Sequence, residues 1–464
     1  MRPMGSRTGV VGAIVLAAAG LAATAGRRPA PRVAIDSGVV EGVRDETRGE
    51  VFAFKGIPYA APPVGAWRWT PPQPARAWTG VRPARELGPV CPQSDREPFV
   101  MKRLATALGG DPATIPPLGP VSEDCLSLNV WTASLGPTSR QPVMVWLHGG
   151  GLAFGSGSDE ASALAPAGVV VVTANYRLGL LGALAHPALA RGLVHRAIAQ
   201  SSGLAESLAR QAAEAKGADI AARLGAPADA PLPALRALSP ERLVAVGGPF
   251  DRVTDGWVLP RQVPAVLTAP GDSVPLVIGA TANEAAIFQL PDDRRSYLSM
   301  IQESEAESQE RLLARYPAAN DADARAAMIR LMTDRDFVCP ARYIAARRTG
   351  PTWLYLVSAP PAANPAAARL GAYHGADVRF LFGTELGAPL GDAGRRVGEA
   401  MRRYWVRFAA TGNPNDAVLP TWPRYTASER RHLDFGERLA GATGFGEGRC
   451  EIFDEIWDRA YRRR

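Results

Sequence analysis

The chain has 464 residues, of which 47% are hydrophobic and 21% are charged, which allows a large buried core and excludes a disordered chain. Its formal net charge of +7 comes almost entirely from arginines scattered along the sequence, whereas a nucleic-acid-binding surface would show clustered basic residues. We therefore predict a globular protein with no nucleic-acid partner.

The N-terminus has the pattern of an export signal. Arg2 and Arg7 precede the apolar run 9-GVVGAIVLAAAGLAATA-25, which ends in the small residues of a signal-peptidase site. The run is short for a membrane span, and no other segment of the sequence is long and apolar enough to cross a bilayer. We predict a signal peptide over residues 1–25, a secreted or periplasmic mature chain over residues 26–464, and no membrane contact after cleavage.

Strands and helices alternate along the mature chain. The stretch 33-VAIDSGVVEGV-43 predicts a hairpin, and two continuous apolar runs, 143-VMVWL-147 and 169-VVVVTANY-176, are typical of parallel strands buried on both faces. Further strands are predicted at 194–200, 274–280 and 353–359, and helices at 205–225 and 394–411. This alternation indicates an α/β sheet, and the absence of a repeat or a low-complexity linker predicts one large domain.

The four cysteines suit an oxidising compartment. Cys91 and Cys125 flank a loop that contains proline and glycine, and a disulfide between them could close that loop. For Cys339 and Cys450 the sequence leaves two alternatives open, a bond between them or two free thiols.

The glycine triplet after the first apolar strand is a candidate anion site. His148-Gly149-Gly150-Gly151 directly follows 143-VMVWL-147, and glycines at a strand end let backbone N–H groups point into a cavity and stabilise an oxyanion. An ordinary glycine-rich turn is the alternative in a chain with 47 glycines, but the strand context favours the functional interpretation. We interpret His148 as a structural residue of the loop.

A candidate acid and a candidate base follow later in the chain. Glu284 comes just past the predicted strand 274–280, and His374 lies in a later loop, which fits an acid followed by its histidine. Of the five histidines, His195 falls in a strand-like run and His432 in a charged surface stretch. A histidine packed into a loop is the alternative for His374, but the glycine triplet and Glu284 favour catalysis.

With these segments in place, the chain resembles the type-B carboxylesterase family, the cholinesterase-like branch of the α/β-hydrolases. The resemblance covers nearly all of the mature chain. The matching segments are 55-KGIPYAAPPVGAWRW-69, 122-SEDCLSLNVW-131, 146-WLHGGGLAFGSGS-158, 173-TANYRLGLLG-182, 192-GLVHRAIAQSSG-203, 255-DGWVLP-260, 374-HGADVRFLFG-383 and 403-RYWVRFAATGNPN-415. The 122–131 block and the glycine loop together are highly specific for the family.

This resemblance implies an α/β-hydrolase fold, with a mostly parallel central sheet flanked by helices. It implies hydrolysis of a small-molecule carboxylic ester to an acid and an alcohol, without a metal or a cofactor. Gly150 and Gly151 would donate hydrogen bonds to the oxyanion. Glu284 would orient His374, and His374 would be the general base.

The resemblance also implies two structural pairs in the N-terminal half. Cys91 and Cys125 match the family's N-terminal disulfide. Arg68 and Glu123 match a buried ion pair that ties the early loop to the core.

The nucleophile that this family requires is absent from the sequence. In the family the serine sits in a G-x-S-x-G elbow between a strand and a helix, and no G-x-S-x-G occurs anywhere in the chain. Residues 173–190 run directly into 191–203, so the join falls near Ala190-Arg191. A crossover helix, a central strand, the serine and the following helix are missing, about 45 to 60 residues by the size of such a unit.

The missing segment has a chemical and a structural consequence. Without the serine, a glutamate–histidine pair and an oxyanion site cannot form an acyl-enzyme, so we predict that the chain as written is inactive. Without the central strand, two sheet edges keep unpaired backbone groups unless the neighbouring strands close up. Ser201 and Ser202 follow the strand 194–200, and we expect them to support the acid or the loop rather than act as nucleophiles.

Three interpretations therefore stay open. The chain is an esterase that has lost a segment, through a sequence error or a recent deletion; or a non-catalytic secreted binding or adhesion module; or a chain that does not fold. The retention of Glu284, His374 and the glycine triplet favours the first, because a protein long freed from catalysis would have no catalytic reason to keep them.

Overall fold

The computed structural model describes residues 28–45, 50–94, 96–136, 138–179, 194–204, 207–247, 252–256, 259–262, 264–265, 274–304, 306–362 and 364–462. The predicted signal peptide over residues 1–25 and the predicted join at Ala190-Arg191 lie outside these residues.

The strands of the described residues are short and spread over the whole chain. They are β1 (Arg32–Ile35), β2 (Gly38–Glu41), β3 (Val43–Asp45), β4 (Val51–Pro58), β5 (Val81–Pro83), β6 (Ser127–Thr132), β7 (Val143–Leu147), β8 (Val170–Ala174), β9 (Ala197–Gln200), β10 (Leu208–Ala209), β11 (Val253–Thr254), β12 (Leu276–Thr281), β13 (Thr352–Val357), β14 (His432–Phe435) and β15 (Leu439–Ala442).

The helices lie mainly in the C-terminal half. They are α1 (Arg96–Ala107), α2 (Arg210–Arg223), α3 (Pro231–Arg236), α4 (Pro240–Val244), α5 (Arg294–Gln302), α6 (Ala306–Arg315), α7 (Asp321–Thr333), α8 (Cys339–Arg347), α9 (Pro365–Leu370), α10 (Ala376–Phe382), α11 (Asp392–Thr411) and α12 (Glu451–Arg462). A π-helical turn over Asp334–Val338 joins α7 to α8. None of the helices in the described ranges is both long and apolar enough to cross a membrane.

The longest of these helices shows how the sequence specifies an element and its packing. In α11 the apolar residues Val397, Met401, Trp405 and Phe408 recur at intervals of three and four and are all buried. The helix ends at Gly412, whose φ of +78° is the left-handed conformation that glycine adopts most readily. Its apolar face packs on α10 and on the aromatic residues of β13 and β14.

The main strands form two separate five-stranded sheets. The first has the order β3-β4-β6-β8-β7, and the second has the order β15-β14-β13-β12-β9. Parallel pairs join β7 to β8 and link β9, β12, β13 and β14 in the second sheet. One hydrophobic cluster spans both sheets, with Trp131 and Val171 from the first and Val277 and Trp353 from the second. The predicted α/β class and the hairpin near the N-terminus, now β1 and β2, are confirmed.

The two sheets end on β7 and β9, and neither strand has a second neighbour. Among the described residues, β7 is hydrogen-bonded only to β8 and β9 only to β12. The two edge strands therefore do not close up and pair with each other. Their outward backbone groups remain without a strand partner in the described part of the chain.

The prediction that 143–147 is buried on both faces is wrong. Val143, Val145 and Leu147 are 59%, 62% and 61% exposed, and they share one face because side chains alternate along a strand. The other face is covered, since Trp146 packs edge-to-face on Phe382 with ring centroids 5.1 Å apart. The composition of the strand suits a covered position, but no described element lies over this face.

Two disulfides and one ion pair stabilise the chain. Cys91 bonds to Cys125 as predicted, with an S–S distance of 1.98 Å, and Cys339 bonds to Cys450 at 1.97 Å, which decides the alternative that the sequence left open. The predicted pair of Arg68 and Glu123 is present. The guanidinium meets the carboxylate through two N–H groups, one of them Nε to Oε1 at 2.7 Å, and both side chains are buried.

Arg68 also links the early loop to the segment between α3 and α4. Its Nη1 donates to the backbone carbonyl of Leu238 at 2.8 Å, just before α4. A buried guanidinium with several acceptors keeps its charge compensated, so the pair holds the early loop against the α3–α4 segment.

Candidate active site

Glu284 is placed by the end of β12. The strand stops at Thr281, and a turn carries Glu284 back beneath it, where its side chain is fully buried. Its Oε1 accepts hydrogen bonds from the backbone N–H of Thr281 at 2.7 Å and from Ser201 Oγ at 2.6 Å. Such donors compensate the cost of burying a carboxylate and fix its orientation.

His374 meets the second oxygen of that carboxylate. Nδ1 of the imidazole lies 2.6 Å from Glu284 Oε2, and the backbone N–H of His374 donates to the carbonyl oxygen of Glu284 at 3.2 Å. The next residue, Gly375, has a φ of +85° and is the N-cap of α10, so the chain can turn sharply after the histidine. The side chain is 38% exposed, and its Nε2 has no hydrogen-bond partner among the described residues.

The surroundings of His374 set its basicity. Burial lowers the pKa of the imidazole, but the hydrogen bond and the charge of Glu284, with the charge of Asp377, outweigh that effect and raise the pKa above the ordinary 6.5. A raised pKa makes Nε2 a better proton acceptor, while the bond at Nδ1 keeps that nitrogen as the donor.

Two aromatic rings border the imidazole. The ring centroid of Phe337 lies 5.0 Å from that of His374, and the centroid of Phe288 lies 5.7 Å from it. Phe288 follows Glu284 by four residues, whereas Phe337 is carried by the π-helical turn between α7 and α8. Sequence reasoning missed both rings; the nearness of Phe288 to Glu284 was an available signal, but no local pattern places Phe337 here.

Ser201 is hydrogen-bonded to the Glu284 carboxylate and not to His374. It follows β9 with a φ of +52°, an uncommon conformation for a residue with a side chain, and its Oγ donates to Glu284 Oε1. Glu284 therefore stands between Ser201 and His374. In this arrangement His374 Nε2 cannot take the proton of Ser201, and the hydroxyl serves to orient the acid, as expected from the sequence.

The glycine loop begins where β7 ends. Gly150 and Gly151 have φ values of +110° and +61°, and a Cβ on Gly150 would lie 1.9 Å from the carbonyl oxygen of Phe154, so only glycine fits there. The carbonyl of Gly150 accepts from the backbone N–H of Ala153 at 3.1 Å. Among the described residues, no acceptor is bonded to the backbone N–H groups of Gly150 and Gly151, which leaves them able to bind an anion.

His148 has the structural role expected from the sequence. Its buried ring stacks on Tyr176 with centroids 4.2 Å apart, and the hydroxyl of Tyr176 donates to the carbonyl of His148 at 2.6 Å. Burial lowers the pKa of His148 to about 4, so the ring is neutral at pH 7. Its Nδ1 then donates to the carbonyl of Gly149 at 2.8 Å and braces the loop.

The structure brings together part of the predicted set. Glu284 and His374 are in direct contact at the second sheet, whereas Gly150 and Gly151 follow β7 at the edge of the first sheet. Glu284 thus contacts Ser201 just past the edge strand β9, and the candidate anion donors follow β7, the other edge that has no second strand partner among the described residues. In the described ranges no cluster of three or more His, Cys, Asp or Glu side chains could hold a metal ion.

Comparison with known proteins gives consistent matches. A sequence model described as "Carboxylesterase family" matches residues 29–188 and 183–453. Fumonisin B1 esterase of Sphingopyxis macrogoltabida is 32% identical over 500 positions, covering 88% of this chain and 87% of that protein. Para-nitrobenzyl esterase of Bacillus subtilis (strain 168) is 29% identical over 478 positions, covering 84% of this chain and 92% of that protein.

A third relative, pyrethroid hydrolase Ces2a of Mus musculus, is 29% identical over 468 positions, covering 82% of each chain. All three alignments are longer than the 464 residues of this chain. Each of these relatives therefore has residues within the aligned region that this chain lacks.

Proposed function

Because the chain belongs to the carboxylesterase family, we propose that it carries the acid, base and oxyanion site of a serine ester hydrolase whose nucleophile segment is missing near Ala190-Arg191. The substrate class is small-molecule carboxylic esters, and the reaction needs no metal or cofactor. As written, the chain is inactive. Restoring the segment restores hydrolysis.

Each retained group has a defined part in that reaction. His374 Nε2 accepts the proton of the serine as Oγ bonds to the ester carbonyl carbon, and it returns the proton to the departing alcohol. Glu284 holds the Nδ1–H bond and stabilises the imidazolium. The backbone N–H groups of Gly150 and Gly151 bind the carbonyl oxygen as it becomes negative. A water molecule then releases the acid by the same steps.

The split of the sheet supports this proposal most strongly. Within the described ranges the edge strands β7 and β9 each have one neighbour and lack a second, and the face of β7 with Val143, Val145 and Leu147 is exposed. A central strand with its helix would pair both edges and cover that face. The absence of G-x-S-x-G and the longer aligned regions of the relatives point to the same loss. The two matched stretches of the family, 29–188 and 183–453, meet beside the proposed join.

The alternative of a non-catalytic binding module explains less. A binding module has no need for a 2.6 Å contact between a buried carboxylate and a half-exposed imidazole, nor for free backbone donors at a glycine loop. We also propose that the mature chain is secreted or periplasmic, because the apolar N-terminal run precedes a chain with two disulfides.

Two experiments test the proposal. The first is to sequence the genomic DNA and the transcript across the codons for Ala190 and Arg191. An in-frame insert that encodes a strand and G-x-S-x-G would identify an ordinary esterase. A genuine junction would make the chain a deletion product that is inactive, as the second experiment checks.

In the second experiment, an elbow segment from a relative is inserted between Ala190 and Arg191, and hydrolysis of p-nitrophenyl acetate is measured. We expect no activity above the His374→Ala control before insertion and an increase of about 10³-fold or more after it. Replacing the inserted serine by alanine is the matched control and should remove the gain. Robust hydrolysis by the unrepaired chain that survives His374→Ala would refute the assignment.

A further inference from the structure

We propose that Asp377 is a second positioning carboxylate for His374, acting beside Glu284 through its buried negative charge and its anchors on two strands. The inference rests on the proposed function only in taking His374 as the base. Its test observes the imidazole directly and needs no catalytic turnover, so either proposal can fail without the other.

Asp377 and His374 are held in one short piece of chain. His374 precedes α10, and Asp377 lies in the first turn of that helix, three residues later. The Asp377 side chain is 1% exposed, and its Oδ1 accepts from the backbone N–H of Val378 at 2.9 Å. Both the histidine and the carboxylate are therefore placed by the first turn of α10 and the residues just before it.

The carboxylate is anchored to two strands of the second sheet, β13 and β9, which flank β12. Its Oδ2 accepts from the hydroxyl of Tyr355 on β13 and from Nε2 of Gln200 at the end of β9, both at 2.9 Å. Gln200 in turn accepts from Nε1 of Trp405 at 3.3 Å. Asp377 therefore fixes the start of α10, and with it the His374 loop, to β13 and to the edge strand β9.

The charges around the site indicate that Asp377 also affects the protonation of His374. Among the described residues, neither Glu284 nor Asp377 forms an ion pair with a lysine or an arginine, and His374 is the one cation partner of Glu284. The other groups that face Asp377 are Tyr355 and Tyr373, and Tyr373 in turn interacts with Arg379. Two buried carboxylates beside one imidazole favour its protonated form.

Burial and the charge of Glu284 raise the pKa of Asp377 above its ordinary 3.8, although the hydrogen bonds from Gln200 and Tyr355 and the charge of His374 act in the opposite direction. Opposite charges favour each other, so protonation of His374 favours ionised Asp377 and ionised Asp377 favours the imidazolium. A neutral residue of the same shape would retain much of the packing and lose the coupling.

The test is a nuclear magnetic resonance titration of His374 in the full chain, labelled at its five histidines and assigned with His374→Gln. We expect Asp377→Asn to lower the pKa of His374 by about one pH unit. The matched control is Asp334→Asn. Asp334 is equally buried and accepts from the hydroxyl of Tyr316 at 3.0 Å, but its charge is paired with Arg449. The control should leave the pKa of His374 unchanged.

An unchanged His374 pKa in folded Asp377→Asn would overturn the proposal and leave Asp377 with a purely structural role. If that variant does not fold, the same titration of His374 in the unmodified chain and in Tyr355→Phe tests the proposal. In the unmodified chain we expect the His374 resonance to show a second, lower inflection as Asp377 ionises. Tyr355→Phe removes one donor to the carboxylate, so that inflection should move to higher pH. A missing or unmoved inflection would contradict the coupling.

Discussion

The open face of β7 leads to a stability prediction that separates a truncated sheet from a complete one. Val145 is 62% exposed, so less than half of its surface is removed from water. Complete burial of a valine side chain is worth about 1.5–2 kcal/mol, so Val145→Lys should cost less than about 1 kcal/mol in the chain as written. The lysine can extend into solvent from the open face.

Val171 on β8 provides the matched control. It is 1% exposed and lies on the opposite face of the same sheet, in the shared hydrophobic core. A lysine there must bury its charge or break the core packing, so Val171→Lys should cost at least about 3 kcal/mol. The two substitutions have the same chemistry and lie on neighbouring strands of one sheet, Val145 on the edge strand β7 and Val171 on β8 inside the sheet, and they differ in what covers the side chain.

The assay is urea unfolding of the oxidised protein, followed by fluorescence, with free energies compared at matched m-values. In the chain repaired with the elbow segment, Val145→Lys should become as costly as Val171→Lys, because the restored strand and helix would cover it. Val145→Lys should also increase the monomer fraction of the unrepaired chain, since an uncovered apolar edge promotes association. A cost above about 3 kcal/mol in the unrepaired chain would show that the face is covered and would refute the reasoning.

Three further predictions concern His374 and the Arg68–Glu123 pair. In the repaired chain, hydrolysis requires neutral His374. Because Glu284 and Asp377 raise the pKa of this imidazole, the rate should fall as pH falls through a value above 6.5. An acid limb centred below 6.5 in the pH–rate profile would contradict this. The same shift gives a stability contribution that is complete below pH 6.5 and is lost as pH rises through the folded-state pKa, and Glu284→Gln should remove it in unfolding measured across that range. Glu123→Gln leaves the buried Arg68 charge uncompensated and should cost about 3–5 kcal/mol in urea unfolding, whereas the exposed pair-breaking change Glu214→Gln should cost less than about 0.5 kcal/mol.

Local patterns in the sequence determined much of the site before any tertiary contact was known. Continuous apolar residues predicted β7, and the glycine triplet directly after it predicted a loop with backbone N–H groups available to an anion; in the structure Gly150 and Gly151 form a loop with left-handed backbone. The order of Glu284 and His374 along the chain predicted their pairing, which the 2.6 Å contact confirms. These inferences succeeded because a strand, a turn and a motif order are properties of nearby residues or of a recognisable family pattern.

The tertiary structure alone decided which distant groups surround the base. Phe337 reaches His374 from a π-helical turn, and Asp377 is anchored by Gln200 across 177 positions of sequence; no periodicity encodes either contact. It also placed Ser201 on the far side of Glu284 and paired Cys339 with Cys450, 111 residues apart.

The failures of local reasoning have the same origin. His432, expected in a charged surface stretch, is buried on β14, and the second failure concerns β7. The residues of β7 have the composition of a strand covered on both faces, yet Val143, Val145 and Leu147 are open to solvent. Composition records the environment that a segment suits, whereas burial requires that the covering element be present. The sequence therefore determined the kind of strand and the order of Glu284 and His374 along the chain, and only the tertiary structure decided that, in the described part of the chain, the sheet ends at β7 without a second neighbour.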